Sequence, residues 1–164
     1  MTTTSETKKL NTDIYEIRRI KASDYEDVTK TLTVLTTVGV VTKEKFHKLL
    51  NYWDSVKLPD RPDERMFNPL VIVNKKTGKV VATGMLLIEP KIIHECGFVG
   101  HIEDIAVASS EQGKNLGYHL IRSLVETGKR SGCYKIILDC DAKNIGFYEK
   151  SDFSKAGIEM QIRF

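Results

Sequence analysis

Three things are scarce in this 164-residue chain, and each scarcity removes a class of protein. Cysteine occurs three times, at Cys96, Cys133 and Cys140, giving neither an even set nor a C-x-x-C pair. That excludes a disulfide framework and fits reduced thiols in a cytosolic compartment. Net charge is only +3, so charge makes no case for nucleic acid as a partner, although it can help to attract an anion. No apolar run approaches the roughly 20 residues that span a bilayer, so no membrane partner is expected. The first segment, Met1 to Asn11, is rich in Thr, Ser and Lys and has no apolar core. It reads as a short disordered tail, not a secretory signal. Repeats, low-complexity tracts and domain boundaries are also missing, so residues 12–164 are expected to form one domain. Hydrophobic residues at 41% and charged residues at 29% give that domain an ordinary soluble balance and a sizeable core.

The patterning alternates between sheet and helix. Asp13–Ile20 places apolar residues near alternate positions and predicts a strand. Ser23 with Glu26 three residues on is a capping-box signature, for a helix running to about Val38 and stopped by Gly39. Its Thr/Val-rich composition gives weak intrinsic propensity, and its last turn, Leu35–Val38, is a plausible place for function. Thr42 can cap a second helix to about Val56, with Phe46, Leu49, Leu50 and Trp53 as its apolar stripe. Lys57–Asn68, charged and proline-bearing, reads as a loop. Pro69–Asn74 and Lys79–Glu89 read as a hairpin around a Lys75–Gly78 turn. A short connection, Lys91–Gly100, leads to a strand at His101–Ala108. Lys114–Arg130 is helical, with Leu116, Leu120, Ile121, Leu124 and Val125 on one face and Gly132 as its stop. Tyr134–Cys140 is nearly continuous in apolar residues, as expected of a central strand covered on both faces. Lys143–Lys150 is a short helix. Gly157–Phe164 alternates strictly and predicts a last strand with one buried face. The order β-α-α-β-β-β-α-β-α-β implies a mixed α/β sheet, in which two parallel strands can splay to admit a ligand.

The densest chemistry lies between Gly100 and Gly128. An apolar strand carrying Glu103 and Asp104 runs into a polar, glycine-containing loop, which opens directly into an amphipathic helix. Loop amides and a helix N-terminus just beyond a strand end suit a phosphate or pyrophosphate. The loop lacks G-x-G-x-x-G, which argues against a dinucleotide fold. On strict alternation Glu103 and Asp104 point to opposite faces and cannot form a paired-carboxylate dyad. The cysteines have no His/Asp pattern that would make one a nucleophile.

The strand, loop and helix from Ile102 to Leu124, with Gln112-Gly113-Lys114-Asn115-Leu116-Gly117, resembles motif A of the GNAT acetyltransferases. Longer blocks narrow the resemblance. They are Leu35–Gly39, Lys91–Glu95, Gly100–Val107, Cys133–Cys140, Phe147–Lys150 and Glu159–Arg163. In that order they look like the eukaryotic, particularly fungal, glucosamine 6-phosphate N-acetyltransferase family. The similarity spans nearly the whole chain after the tail. Two positions depart from the pattern. Asn115 and Asp152 stand where the family usually has glycine, and Asn tolerates positive φ better than most residues.

The resemblance implies a GNAT fold, a mixed and mainly antiparallel sheet flanked by helices and splayed at the cofactor site. It implies acetyl transfer from acetyl-CoA to the amine of glucosamine 6-phosphate, without a metal, in a homodimer. Carried over residue by residue, Gly113, Lys114, Asn115, Leu116, Gly117 and Tyr118 would give backbone N–H groups to coenzyme A. Ile105, Ala106 and Val107 would pair with its pantetheine arm. Tyr148 would meet the leaving thiolate. Asp139 and Asn144 would contact cofactor or amine, although both also fit as caps of the following turn. Glu103, Asp104 and Ile105 would meet the sugar, with a strand N–H stabilising the oxyanion. Lys91, Ile92, Ile93, His94, Lys135 and Arg163 would hold the sugar phosphate, with Thr36 and Tyr134 for hydroxyls; taken singly, such charged residues are most often solvated surface groups. Arg163 would complete the neighbouring subunit's site. The alternatives are a GNAT enzyme for another amine, or a non-catalytic acyl-CoA sensor.

Overall fold

The computed structural model describes residues 9–164. Of the expected tail, residues 1–8 lie outside the described residues, while Leu10 packs against the core. Seven strands and five helical segments follow in chain order. They are β1 (Tyr15–Arg19), α1 (Tyr25–Leu32), α2 (Lys43–Ser55), β2 (Lys57–Leu58), β3 (Arg61–Arg65), β4 (Phe67–Asn74) and β5 (Lys79–Pro90). Then come α3 (Ile93–Cys96), β6 (Phe98–Val107), α4 (Leu116–Arg130), β7 (Cys133–Ile137) and α5 (Ile145–Glu149). Five strands form one sheet in the order β1-β4-β5-β6-β7. Only the β6–β7 pairing is parallel.

The sheet is covered on both faces, and β4 shows why its sequence is so apolar. Ile72 faces one core with Leu86, Ile88 and Ile102, against the Leu116, Leu120, Ile121, Leu124 and Val125 stripe of α4. Val71 and Val73 face a second core with Val28 of α1 and Phe46 and Leu50 of α2. Alternation along a strand delivers successive residues to opposite faces. Thr42 caps α2 as expected, its Oγ1 accepting the Lys45 N–H at 3.2 Å. Gly132, at φ 76°, ends α4.

Four elements differ from expectation. The first helix ends at Leu32 instead of Val38. The Thr33 hydroxyl donates to the Lys30 carbonyl at 2.7 Å, a side-chain competition that β-branched, Thr-rich sequence favours over further helix. Its cap is also displaced. Asp24, not Glu26, reaches back to a main-chain N–H, that of Lys21, at 2.7 Å. Arg18 grips the same carboxylate with two bonds of 2.7 and 2.8 Å.

Residues 57–65, expected as loop, form the β2–β3 hairpin. Its two-residue arm is too short to show periodicity. Tertiary contacts fasten it, because Arg61 donates to the Ser131 carbonyl at 2.7 Å and lies 4.8 Å over the Phe98 ring. β7 is an edge strand, not a central one, and Tyr134 and Ile137 remain partly exposed. Gly157–Phe164 has no strand partner among the described residues, and Ile158, Met160, Ile162 and Phe164 are almost bare.

Burial acts to raise the Asp24 pKa, but the bonds from Arg18 and the Lys21 amide outweigh it and hold the carboxyl below the usual range. A depressed folded pKa contributes stability above the unfolded value of about 3.9, and that stability is lost as pH falls through the folded pKa. Asp24→Asn is therefore expected to cost about 2 kcal/mol at pH 7 and much less below pH 3. Urea titrations at the two pH values check it; an equal cost at both would contradict the linkage.

Candidate active site

β6 is the strand on which the site is assembled. It pairs with β5 along most of its length but with β7 only from Phe98 to His101. Beyond His101 its second edge carries no strand among the described residues, and β7 ends at Ile137. The expected splay is this fork. Main-chain groups of residues 102–107 line one arm, and Leu138, Asp139 and Cys140 continue the other.

A bulge shapes that arm. Thr83 opposes Ala106 and Met85 opposes Glu103, so Gly84 alone faces both Asp104 and Ile105. Asp104 adopts φ 55°, in the left-handed region. The extra residue shifts the strand's parity. Gly100 and Ile102 face α4 before it, while Ile105 and Val107 do so after it. Strict alternation therefore fails at the acids, and Glu103 and Asp104 are both exposed. Partial burial raises the Glu103 pKa, and the nearby charges of Asp104 and Asp139 raise it further against the pull of His101. Three carboxyl groups therefore converge at the fork, although they come from two strands.

The loop after β6 is held on both sides. Gln112 Nε2 donates to the Val107 carbonyl at 3.2 Å. Glu111 accepts from the Tyr15 hydroxyl at 2.6 Å and from Lys114 Nζ at 3.0 Å. The Lys114 charge is thus already paired, which leaves main chain as the loop's main offering. Gly113 at φ 80° and Asn115 at φ 61° curl the loop into α4. The first amides of a helix have no carbonyl four residues upstream and are available to an anion. Asn115 thus adopts the conformation for which glycine is usual. Asp152, the other departure, also sits left-handed at φ 67°, and its carboxylate pairs with Arg122 at 3.0 Å.

The second arm closes through α5. A Cβ on Gly117 would lie 2.9 Å from Phe147, so the lack of a side chain there lets α5 rest on the first turn of α4. Tyr148 follows, edge-on to Phe147 at 5.0 Å and to Phe153 at 6.2 Å. Burial, and then the neighbouring Cys140, push its hydroxyl pKa up, so it keeps its proton at neutral pH. Tyr148, Asp139, Cys140 and Ile137 line a cleft of about 460 Å³, which the chain after Phe153 also borders. The N-cap of the turn after β7 is Asp141, not Asp139, and Asn144 makes no side-chain cap bond at α5. The capping alternative therefore falls away for Asp139, whereas Asn144 holds the N-cap position of α5 without a side-chain bond.

At the paired end of β6 and β7, before the strands part, the cationic residues gather. Lys91 Nζ lies 2.9 Å from Glu89, whose other oxygen meets His101 Nε2 at 2.8 Å. The connection after β5 is a left-handed turn, with His94, Glu95 and Cys96 at φ 52°, 57° and 58°. It stacks the His94 ring on Tyr134 at 3.9 Å and leaves Ile92 and Ile93 exposed. Lys135 Nζ sits 5.9 Å over the same tyrosine. Lys91, His94, Tyr134 and Lys135 thus share one end of the sheet. Thr36 lies in the bend after α1, and Arg163 bonds only to Gln161 at 2.8 Å; no described contact joins either to that cluster. Sequence reasoning passed over Glu89 and His101. The signal was there, because Glu89 and Lys91 are two apart at a strand end, as are His101 and Glu103 on β6.

A sheet forked between two parallel strands, with a left-handed loop feeding a helix beside it, defines an N-acetyltransferase fold. The chain belongs to the GNAT acetyltransferase family, whose model matches residues 36–153. A glucosamine 6-phosphate N-acetyltransferase from Candida albicans is 52% identical over 92% of this chain and 96% of its own length. The Arabidopsis thaliana enzyme of that name is 36% identical over 93% and 98%. The crystal structure of the Arabidopsis enzyme superposes with a TM-score of 0.83, at 37% identity, covering 92% of this chain and 98% of that one. A Trypanosoma brucei acetyltransferase gives 0.82 at 29% identity, covering 92% and 99%.

If main-chain conformation at Asn115 governs the loop, Asn115→Gly should leave the KM for acetyl-CoA within about twofold. Asn115→Ala, which meets a left-handed penalty of roughly 1–2 kcal/mol, should raise it about tenfold. Steady-state kinetics with acetyl-CoA varied would show this; equal values for the two variants would refute it.

Proposed function

We propose that the protein transfers the acetyl group of acetyl-CoA to the amine of D-glucosamine 6-phosphate, giving N-acetyl-D-glucosamine 6-phosphate and coenzyme A. The product would feed UDP-N-acetylglucosamine synthesis in the cytoplasm. The observation that carries the acceptor's identity is the 52% identity to the Candida albicans enzyme across nearly the full length of both chains.

The geometry supports a direct attack. Backbone amides of Gly113–Tyr118 receive the pyrophosphate, and the free edge of Ile105–Val107 pairs with the pantetheine arm. Acetyl-CoA supplies an activated thioester, so the protein's task is to orient it and handle protons. An amine on an electron-withdrawing sugar ring resembles an α-amino group, with a pKa of roughly 8, and an appreciable fraction is neutral at pH 7. Glu103, Asp104 and Asp139 surround the place where that amine enters, and the raised pKa of Glu103 suits it to take up a proton. An amide N–H on the free edge of β6 stabilises the oxyanion as charge develops. Tyr148, still protonated, donates to the departing thiolate. Lys91, His94, Lys135 and Tyr134 receive the sugar and its phosphate.

Two features support a homodimer. β7 is an edge strand with a partly exposed apolar surface, and the four apolar residues of Gly157–Phe164 are bare. A second copy would cover both and would bring Arg163 to its neighbour's sugar site. Among the described residues no helix is long and apolar enough to cross a membrane.

Free-thiol release from acetyl-CoA is expected with glucosamine 6-phosphate and to be far weaker with glucosamine or a lysine peptide. Equal rates with all three, or none, would sink the reading. Tyr148→Phe should lower kcat by roughly 10- to 100-fold while the KM for acetyl-CoA stays nearly constant; an unchanged kcat would remove the thiolate role. Deleting residues 157–164 should give a folded, inactive monomer by light scattering and circular dichroism. A fully active dimer after that deletion would refute the role of the segment.

A further inference from the structure

Glu89 belongs to none of the groups assigned so far, yet it is the one side chain seen to touch both a phosphate-side cation and a residue beside the acidic cluster. It lies near the end of β5, where its Cα partner on β6 is Val99, and the partner of Val99 on β7 is Lys135. Residues directly opposite on neighbouring strands share a face. Glu89, Val99 and Lys135 therefore form one row across three strands. His101, two residues along β6, lies in the next row on the same face, followed by Glu103. That face is the one turned away from α4.

The two oxygens of Glu89 are divided between partners. Oε1 meets Lys91 Nζ at 2.9 Å and Oε2 meets His101 Nε2 at 2.8 Å. These two bonds keep its carboxyl below the usual range, so it is ionised at neutral pH. An ionised carboxylate only accepts, so His101 must carry its proton on Nε2, and its ring is thereby oriented. His101 in turn opposes the upward shift of Glu103. A lysine side chain has four rotatable carbons and a compact charge, and alone it samples many positions. Held by Glu89, its ammonium is confined to the paired end of the fork with two donors still free.

We propose that Glu89 is a positioning residue for acceptor specificity: fixed through Oε2 by His101, it orients Lys91 toward the phosphate of the amino sugar. This rests on the acceptor reading above. Glu89 acts through Lys91, so its effect belongs to phosphate-bearing acceptors. Removing its negative charge without replacing the brace would leave Lys91 charged but unguided.

The test is a double-mutant cycle on the full-length enzyme, reading thiol release with glucosamine 6-phosphate and with glucosamine. Glu89→Gln is expected to raise the KM for glucosamine 6-phosphate roughly tenfold, with the KM for acetyl-CoA unchanged. kcat/KM for glucosamine should move by less than about threefold, so discrimination between the acceptors narrows. Lys91→Ala should do the same, and the double variant should be no worse than Lys91→Ala alone. Glu89→Asp should recover part of the loss. Circular dichroism and thermal melting of each variant separate a brace from a fold defect. Additive losses in the double variant would overturn the proposal, as would equal losses on both acceptors, or a lower KM in Glu89→Gln. Failure of the unmodified enzyme to prefer glucosamine 6-phosphate would instead refute the acceptor reading.

Discussion

One additional residue in β6 governs the rest of the site. With Asp104 in the left-handed region, the strand changes which face each later side chain meets. Before the bulge, even-numbered residues pack on α4. After it, Ile105 and Val107 do. The bulge also bends the strand, and bulged strands twist more strongly than regular ones. β7 can follow β6 only as far as His101, and the gap that remains has hydrogen-bonding main chain on one wall and Tyr148 on the other. Without the bulge, alternation would send Glu103 and Asp104 to opposite faces, and three carboxyl groups would not converge.

The fold's two cores divide their labour around this fork. The α4 core anchors the loop after β6 and the helix end it feeds. The α1/α2 core supports the opposite face over β4 and the start of β5, and α1 also reaches β6. Farther along, that face carries Glu89, His101, Glu103 and Lys135 around the buried Val99. In the proposed reading the acceptor approaches a surface of side chains, while the cofactor lies along a surface of main chain.

Much of this was legible in the sequence, and what was not has physical reasons. Long periodic segments such as α4, and the cap at Thr42, carry their signals locally. The phosphate loop was visible as a strand, glycine and helix in succession. The first helix was read too long because its stripe continues past Leu32, whereas the competing Thr33 bond is invisible to periodicity. The β2–β3 hairpin depends on Arg61 reaching Ser131, 70 residues on, and Phe98, 37 residues on. β7 looked central because its apolar residues cover both faces, whereas among the described residues β6 is its one strand neighbour. The bulge at Asp104 has no compositional mark, since two adjacent acids on a strand are ordinary. Glu89 was missed because its role appears only when β5 and β6 are set side by side.

Gly117 and Phe147 join the first turn of α4 to the helix that carries Tyr148, by packing alone. A grip made by amides is indifferent to side-chain identity, so under the proposed function the donor half of the site tolerates a change such as Asn115. The acceptor half, made of side chains on strand rows, has no such tolerance. In evolutionary terms the two halves are separable. A descendant could exchange its acceptor by rewriting a handful of surface positions, while inheriting the donor chemistry unchanged.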